Sequence, residues 1–278
     1  MKQNKIEKGV TIMKNKLLLV ILAMIIAILA ACGTKEDATK DSGNASSPSE
    51  EKQVLKMGTS ADYPPFEYVD TAKGEEIIGF DIDLANLIGE KLGYEIEVEN
   101  IDFNGLIPAI QAGKLDFVLS GMTPTEERDK VVDFSVPYNE TVQMVVTKKD
   151  SGIKSVEDLA GKTVGVQISS IQEELANEVA QTVDMKVESR NLIPEVIQEL
   201  MTKRFDGAII EDIVAENYVK RNDDLTFFPV VVDEIDYKAA VFPEGSDLKE
   251  KFDNAINELI EEGKIDELRE KWFVVEAE

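Results

Sequence analysis

The sequence predicts an α/β protein built as two similar lobes, and three observations carry that prediction. From Val54 onward, short β-rich runs alternate with amphipathic helical stretches, the pattern of helices covering a sheet. The strand–helix–strand–helix–strand series then occurs a second time. Finally, the 278 residues contain one cysteine and no histidine. Disulfide and His/Cys metal frameworks are therefore excluded, and stability has to come from buried apolar faces.

The first series begins with a strand over 54–58 and a loop over 60–68 broken by Pro64 and Pro65. A helix over 81–92 follows, with Ile82, Ala85, Leu87, Ile88 and Leu92 on one stripe and Gly93 as its stop. Alternation predicts a strand over 95–99, then a helix over 103–112 stopped by Gly113, then a short strand over 117–119. The second series reads as a strand over 162–166, a helix over 170–179, a strand over 185–188, a helix over 193–203 and a strand over 207–210. Two extended, β-branched runs, 141–147 and 227–232, are expected to be crossing connections between the halves. An amphipathic helix over 246–262 has Ser246 as its cap, Leu248, Phe252, Ile256 and Leu259 on one face, and Gly263 as its end. A short helix over 266–272 closes the series.

The N-terminal region has a different character. Lys14 and Lys16 precede an uncharged apolar run, 17–31, that ends in Leu29-Ala30-Ala31-Cys32-Gly33. Basic start, apolar middle and small-residue end are the layout of a secretory signal, predicted here over 1–31, with Met13 starting a complete signal by itself. The run is shorter than the roughly 20 residues needed to span a bilayer. Leu-Ala-Ala-Cys resembles the lipobox of bacterial lipoproteins, which implies lipidation of Cys32 as the mature N-terminus and a location on the extracytoplasmic side of the cell membrane. Residues 32–53 are then the lipidated cysteine and a disordered tether rich in Ser, Gly, Asp and Glu. The tether's root-mean-square span is roughly 25 Å.

Composition narrows the chemistry. The formal net charge is −25, and no basic stripe interrupts the acidic surface, which argues against nucleic acid as a partner. Without histidine, and with the single thiol consumed by lipidation, His-based acid/base catalysis and thiol nucleophiles are excluded. No catalytic residue, cofactor or metal is expected.

A set of segments then points to a family. Gly79-Phe80-Asp81-Ile82-Asp83-Leu84-Ala85 is accompanied by Gly58-Thr59-Ser60-Ala61-Asp62-Tyr63-Pro64-Pro65-Phe66, by Phe103-Asn104-Gly105-Leu106-Ile107-Pro108, and by Ser120-Gly121-Met122-Thr123 with Arg128 beyond. In this order and spacing the chain resembles the extracytoplasmic solute-binding proteins of ABC importers for polar amino acids, over residues 54–273. The resemblance implies a periplasmic-binding-protein-like fold of type II, two lobes hinged by two crossovers. Lobe 1 would be 54–140 plus 235–278, and lobe 2 would be 144–230.

It also implies a site for a zwitterion. Arg128 aligns with the carboxylate-binding arginine, whose planar fork holds both oxygens at once; read without the family, Glu126-Glu127-Arg128-Asp129 is an ordinary solvated charge cluster. Thr123 and the Gly121 and Met122 backbone align with contacts to both the carboxylate and the ammonium. On the second lobe Ser170 and Ile171 match carboxylate-binding backbone positions at a helix N-terminus, and Gln172 a neighbouring ligand contact; plain helix capping is the competing role of Ser170. Glu211 falls where relatives carry an aspartate for the ammonium, with Asp212 the competitor shifted by one residue. Tyr63 and Phe103 match the aromatic walls of the pocket, which hold an aliphatic stem or, through cation–π attraction, a guanidinium or ammonium. Ser60 stands where relatives for basic amino acids and glutamine often carry an acid, so either Asp62 takes that role or the ligand is not cationic.

The partners this implies are a free polar amino acid, with a lean to a basic or glutamine-like one, and a membrane permease with its cytosolic ATPase. The binding protein itself would be a monomer on a lipid anchor. Two alternatives stay open at this point: an enzyme resembling cyclohexadienyl dehydratases, which share the lobe pair, and a lipoprotein that senses an amino acid.

Overall fold

The computed structural model describes residues 53–230 and 235–274. The predicted signal, Cys32 and all of the tether but its last residue lie outside the described residues. Gln53, assigned to the tether, is the first residue of a strand.

In chain order the elements begin with β1 (Gln53–Thr59), β2 (Asp62–Tyr63), β3 (Glu67–Asp70), β4 (Glu76–Ile78), helix α1 (Phe80–Leu92), β5 (Tyr94–Asn100), α2 (Phe103–Gln111), β6 (Phe117–Val118) and β7 (Asp133–Phe134). Next come β8 (Asn139–Thr141), β9 (Gln143–Lys148), β10 (Thr163–Gln167), α3 (Ile171–Val179), β11 (Lys186–Arg190), α4 (Ile193–Met201), β12 (Gly207–Glu211), α5 (Asp212–Arg221) and β13 (Leu225–Pro229). The series ends with β14 (Asp236–Lys238), β15 (Val241–Phe242), α6 (Leu248–Glu261) and α7 (Lys264–Trp272).

Two five-stranded sheets share one plan, β5–β1–β6–β15–β7 and β11–β10–β12–β9–β13. In each, the first three strands are parallel and the next is antiparallel to its neighbours. This is a doubly wound order in which the chain places its next strand on one side of β1 and then on the other, so the winding reverses between β1 and β6, and again between β10 and β12. Ligands in open α/β sheets bind in the crevice outside the carboxyl ends of the strands at such a switch point. Both faces of each sheet are covered. Leu55 and Met57 of β1 join a core with α1 and α6, while Val118 joins Leu106 and Ile110 of α2. In the second sheet Ala208 and Ile210 face one way, and Ile209 packs with Val164 and Val166 on the other.

The structure departs from the sequence expectations in several places. The run 60–68 is not a plain loop: β2, β3 and β4 form a small antiparallel sheet around the cis Pro64–Pro65 peptide. The runs 141–147 and 227–232 were expected to cross between halves, but β9 and β13 within them are neighbours in the second sheet. The two chain passages are joined instead by a separate ribbon, β8 with β14. Helix α5 was missed because its polar residues mask a modest apolar face. Asp247, not Ser246, is the cap residue of α6, although the Ser246 hydroxyl accepts from the Leu248 N–H at 3.3 Å. Helix α7 starts at Lys264, directly after a left-handed Gly263.

The Gly79-Phe80-Asp81 motif has a backbone reason. Gly79 has φ 142° and ψ −179°, a conformation open essentially to glycine alone. It lets the first N–H groups of α1, those of Phe80 and Asp81, donate to the Pro65 and Phe66 carbonyls at 3.0 and 2.9 Å. A Cβ on residue 79 would sit 2.1 Å from the Phe66 carbonyl oxygen. Gly79→Ala is expected to lower unfolding stability by about 2 kcal/mol or more in urea denaturation, combining strain at positive φ with a backbone clash; a loss below about 0.5 kcal/mol would contradict this packing.

Candidate functional site

The carboxyl ends of β1, β6, β10 and β12 converge on one cleft. Ser60 follows β1, Ser120 to Thr123 follow β6, Ser170 to Gln172 follow β10 and open α3, and Glu211 ends β12. Of the nominated residues, Ser60, Tyr63, Phe103, Gly121, Ser170, Gln172 and Glu211 line the innermost cavity. Thr123 and Ile171 border an adjoining recess, and Met122 and Arg128 another. The inner cavity is only ≈ 10 Å³, about one water-sized sphere. The cleft is shut, and its polar side chains bond one another.

Arg128 is 8 % exposed. Its Nη1 donates to the Thr123 carbonyl at 2.7 Å and its Nη2 to the Ser169 carbonyl, beyond β10, at 2.8 Å. The guanidinium thus ties the two lobes together, with its carbon 5.6 Å from the centre of the Phe103 ring. Ser169 has φ 61°, a left-handed conformation unusual for a residue with a side chain, and its carbonyl faces Arg128. Burial pulls the guanidinium below its ordinary pKa, and the charges of Glu174 and Glu127 act the other way. Two of the five N–H donors of the fork serve these carbonyls.

Glu211 is fully desolvated, which raises its carboxyl above the ordinary range; Lys238 opposes the shift. One oxygen, Oε1, accepts from Gln172 Nε2 at 2.7 Å and pairs with Lys238 Nζ. The other, Oε2, is buried with no donor. Lys238 Nζ also donates to Thr123 Oγ1 at 2.8 Å. Asp212 plays a different part: its carboxylate accepts from the Val142 N–H at 3.3 Å and it does not line the inner cavity. Gln172 Nε2 also reaches Gln143 Oε1 at 3.0 Å, and Gln143 in turn donates to Asp236 at 2.8 Å.

Ser170 caps α3, its hydroxyl accepting from the Glu173 N–H and donating to the Gln167 carbonyl at 2.7 Å. The Met122 side chain belongs to the core with Leu106 and Val241. Tyr63 is buried against Phe66, and its hydroxyl lies 3.5 Å from the Glu211 N–H.

The acid near Ser60 is Asp62, and it is engaged. Asp62 Oδ1 accepts from Ser60 Oγ at 2.8 Å, while Oδ2 accepts from Gln167 Nε2 at 3.1 Å and from the Ile193 N–H at 2.7 Å. Ile193 is the first residue of α4, so a carboxylate beside β2 sits at a helix N-terminus of the other lobe, where the dipole favours an anion. Burial nevertheless raises the Asp62 carboxyl to about 6, partly offset by these three donors.

Two further acids, absent from the expected ligand contacts, stand at the cavity floor: Glu67, which lines it, and Asp81 behind the turn after β6. Glu67 Oε1 accepts from Ser120 Oγ at 3.0 Å, and Asp81 Oδ2 accepts from the Gly121 N–H at 2.7 Å and the Tyr138 hydroxyl at 2.9 Å. The Gly121 N–H, expected to face ligand, is therefore already used. Glu67 Oε2 and Asp81 Oδ1 are buried with no donor. Burial, then the charge of Asp81, pushes Glu67 well above the usual carboxylate range; burial pushes Asp81 up to about 6.

The pattern of bacterial extracellular solute-binding proteins, family 3, matches residues 55–275. This chain belongs to that family. Among the family 3 proteins it is 49% identical over 266 residues to the arginine-binding extracellular protein ArtP of Bacillus subtilis, covering 95% of this chain and 100% of ArtP. The crystal structure of AbpA from Streptococcus pneumoniae bound to L-arginine is 35% identical, with a TM-score of 0.75, over 79% of this chain and 94% of AbpA. An ancestral amino acid-binding protein, a precursor of cyclohexadienyl dehydratase, is 35% identical with a TM-score of 0.73, over 79% of this chain and 95% of that one. The fold of this family 3 chain is thus the two-lobed, type II α/β architecture expected from the sequence.

Residues of the cleft that the sequence does not single out are Lys238, Glu67, Gln143 and Gln167. Lys238 left a signal, a lone lysine opening the run Lys-Ala-Ala-Val-Phe. The others look like ordinary polar residues until the lobes meet. The pair under Gly121 has a pH consequence. Between the unfolded carboxyl pKa of about 4 and about 6, folded Asp81 holds a proton that the unfolded chain releases, so this group's contribution to stability falls as pH rises through that window. Relative to Asp81→Asn, the unsubstituted chain is expected to gain on the order of 1 kcal/mol between pH 7 and pH 5 in chemical denaturation. Parallel curves for the two proteins would exclude Asp81 as the titrating group.

Proposed function

We propose that this chain is the extracytoplasmic amino acid-binding component of an ABC importer and that its ligand is L-arginine. The observation that carries the reading is the charge layout of the cleft, with a buried arginine fork, Arg128, on one side and buried acids, Asp62, Glu67 and Glu211, converging from the others. A zwitterion with a cationic side chain is the small molecule complementary to that layout. The arginine-binding relatives support it.

In this reading Arg128, with the N–H groups of Ser170 and Ile171 opening α3, takes the α-carboxylate. Thr123, Gln172 and Glu211, with the Gly121 and Met122 backbone, surround the ammonium end. Tyr63 and Phe103 flank the side chain, whose guanidinium meets Asp62, with Ser60 beside it, and Glu67. The ligand replaces contacts that the side chains now make with one another, and closing around it couples binding to the lobe motion. The moving bodies are 54–140 with 235–278, and 144–230. No turnover accompanies capture: the acids of the cleft are committed to one another and to backbone donors rather than poised as a free acid/base pair.

The chain acts as a lipid-anchored monomer outside the cell membrane, its signal removed and Cys32 acylated, and delivers its ligand to a permease driven by a cytosolic ATPase. Two or more acyl chains give the stable anchoring that one does not.

Isothermal titration against the standard amino acids is expected to rank L-arginine first. Arg128→Ala should weaken it at least about a hundredfold, the loss expected for a bidentate charged contact; undiminished binding by that variant would remove Arg128 from the site. Cys32→Ser is expected to move the protein from the membrane fraction to the medium with its affinity intact, and a variant still sedimenting with membranes would refute the anchor.

A further inference from the structure

Lys238 is the only lysine among the described residues that is fully buried, 0 % exposed. It lies on β14, in the ribbon that joins the two chain passages, and its Nζ contacts Thr123 Oγ1 and Glu211 Oε1. Both belong to side chains, Thr123 and Glu211, assigned above to the ligand's α-ammonium. A lysine ammonium and an α-ammonium are the same chemical group, a compact cation with three donors. The unpartnered oxygen of that carboxylate, Glu211 Oε2, lies beside a charge of the same sign as an arriving ammonium.

Lys238 is held there by its backbone. Its carbonyl accepts from the Tyr138 N–H at 2.8 Å, it pairs with Asn139 across the ribbon, and the next residue, Ala239, donates its N–H to the Met122 carbonyl at 3.1 Å. The stem therefore starts from buried, hydrogen-bonded chain.

We propose that Lys238 is a specificity-determining residue: its ammonium occupies the subsite of the ligand's α-ammonium, so the pocket gives an amino acid little advantage over the same molecule lacking its α-amino group. Recognition is thereby shifted to the carboxylate at Arg128 and to the side-chain end. This rests on the amino acid-binding reading above and deepens it. An ammonium held by a free buried carboxylate and a hydroxyl would ordinarily be worth about tenfold or more in affinity.

The test is isothermal titration of the purified full-length chain with L-arginine and with 5-guanidinopentanoate, which is arginine without the amino group. The unsubstituted chain is expected to prefer L-arginine by no more than about tenfold, and Lys238→Met to widen that preference at least tenfold by tightening L-arginine. A larger preference in the unsubstituted chain, or one that Lys238→Met leaves unchanged or narrows, overturns the proposal. Should Lys238→Met fail to fold, the ratio measured on the unsubstituted chain decides. If another amino acid outranks L-arginine, the arginine reading fails, and the same comparison with that amino acid and its own des-amino acid decides the role of Lys238. Binding of no amino acid overturns both.

Discussion

The cleft contains more buried charge than water can reach, and every charged group in it is held by another group of the protein. Removing one partner of a buried ion pair typically costs about 3–5 kcal/mol, because the remaining charge stays desolvated. This requirement explains why Arg128 reaches across to the Ser169 carbonyl, why Asp62 sits on the first N–H of α4, and why Lys238 and Glu211 are paired. Each contact joins parts of the chain far apart in sequence. The shut cleft is the arrangement in which they are all made, and an amino acid entering it exchanges its own charges for these contacts.

The sheets make that arrangement possible. Both place their parallel strands in the same order, so the carboxyl ends of four strands open toward one space. Short polar segments follow each of those ends, and α3 turns its N-terminus toward the same space. Below them Asp81 holds the Gly121 N–H and the Tyr138 hydroxyl, fixing the turn after β6 from underneath. The Gly79 backbone is what brings α1, and with it Asp81, against the Phe66 carbonyl. A motif read as a family signature is thus a packing requirement: glycine for close approach, and an acid for the turn beneath the site.

Much of this was legible in the sequence. The helices over 81–92, 103–112, 170–179 and 193–203 lie within a few residues of their observed bounds, because strong apolar stripes and glycine stops mark them. The short strands β2, β3, β7 and β15 were not legible, since two to four residues carry no periodicity. The runs 141–147 and 227–232 were correctly extended but misassigned, because an isolated β-branched run does not reveal its partner. At the site, Tyr63, Gly121, Gln172 and Glu211, scattered along the sequence, border one cavity. The commitment of Asp62 to Ile193 and of Glu211 to Lys238 could not be seen, since those partners are 131 and 27 residues away.

The sequence by itself determined the α/β alternation, the two similar halves, the absence of histidine, and the segments that supply most residues bordering the cleft. All of these follow from local patterns or from composition. Only the tertiary structure decided which charges neutralise which. Electrostatic pairing in a buried cleft depends on distance and desolvation rather than on order along the chain. It therefore took the meeting of two lobes to show that the Glu211 carboxylate already holds a cation, and that the cation belongs to the protein.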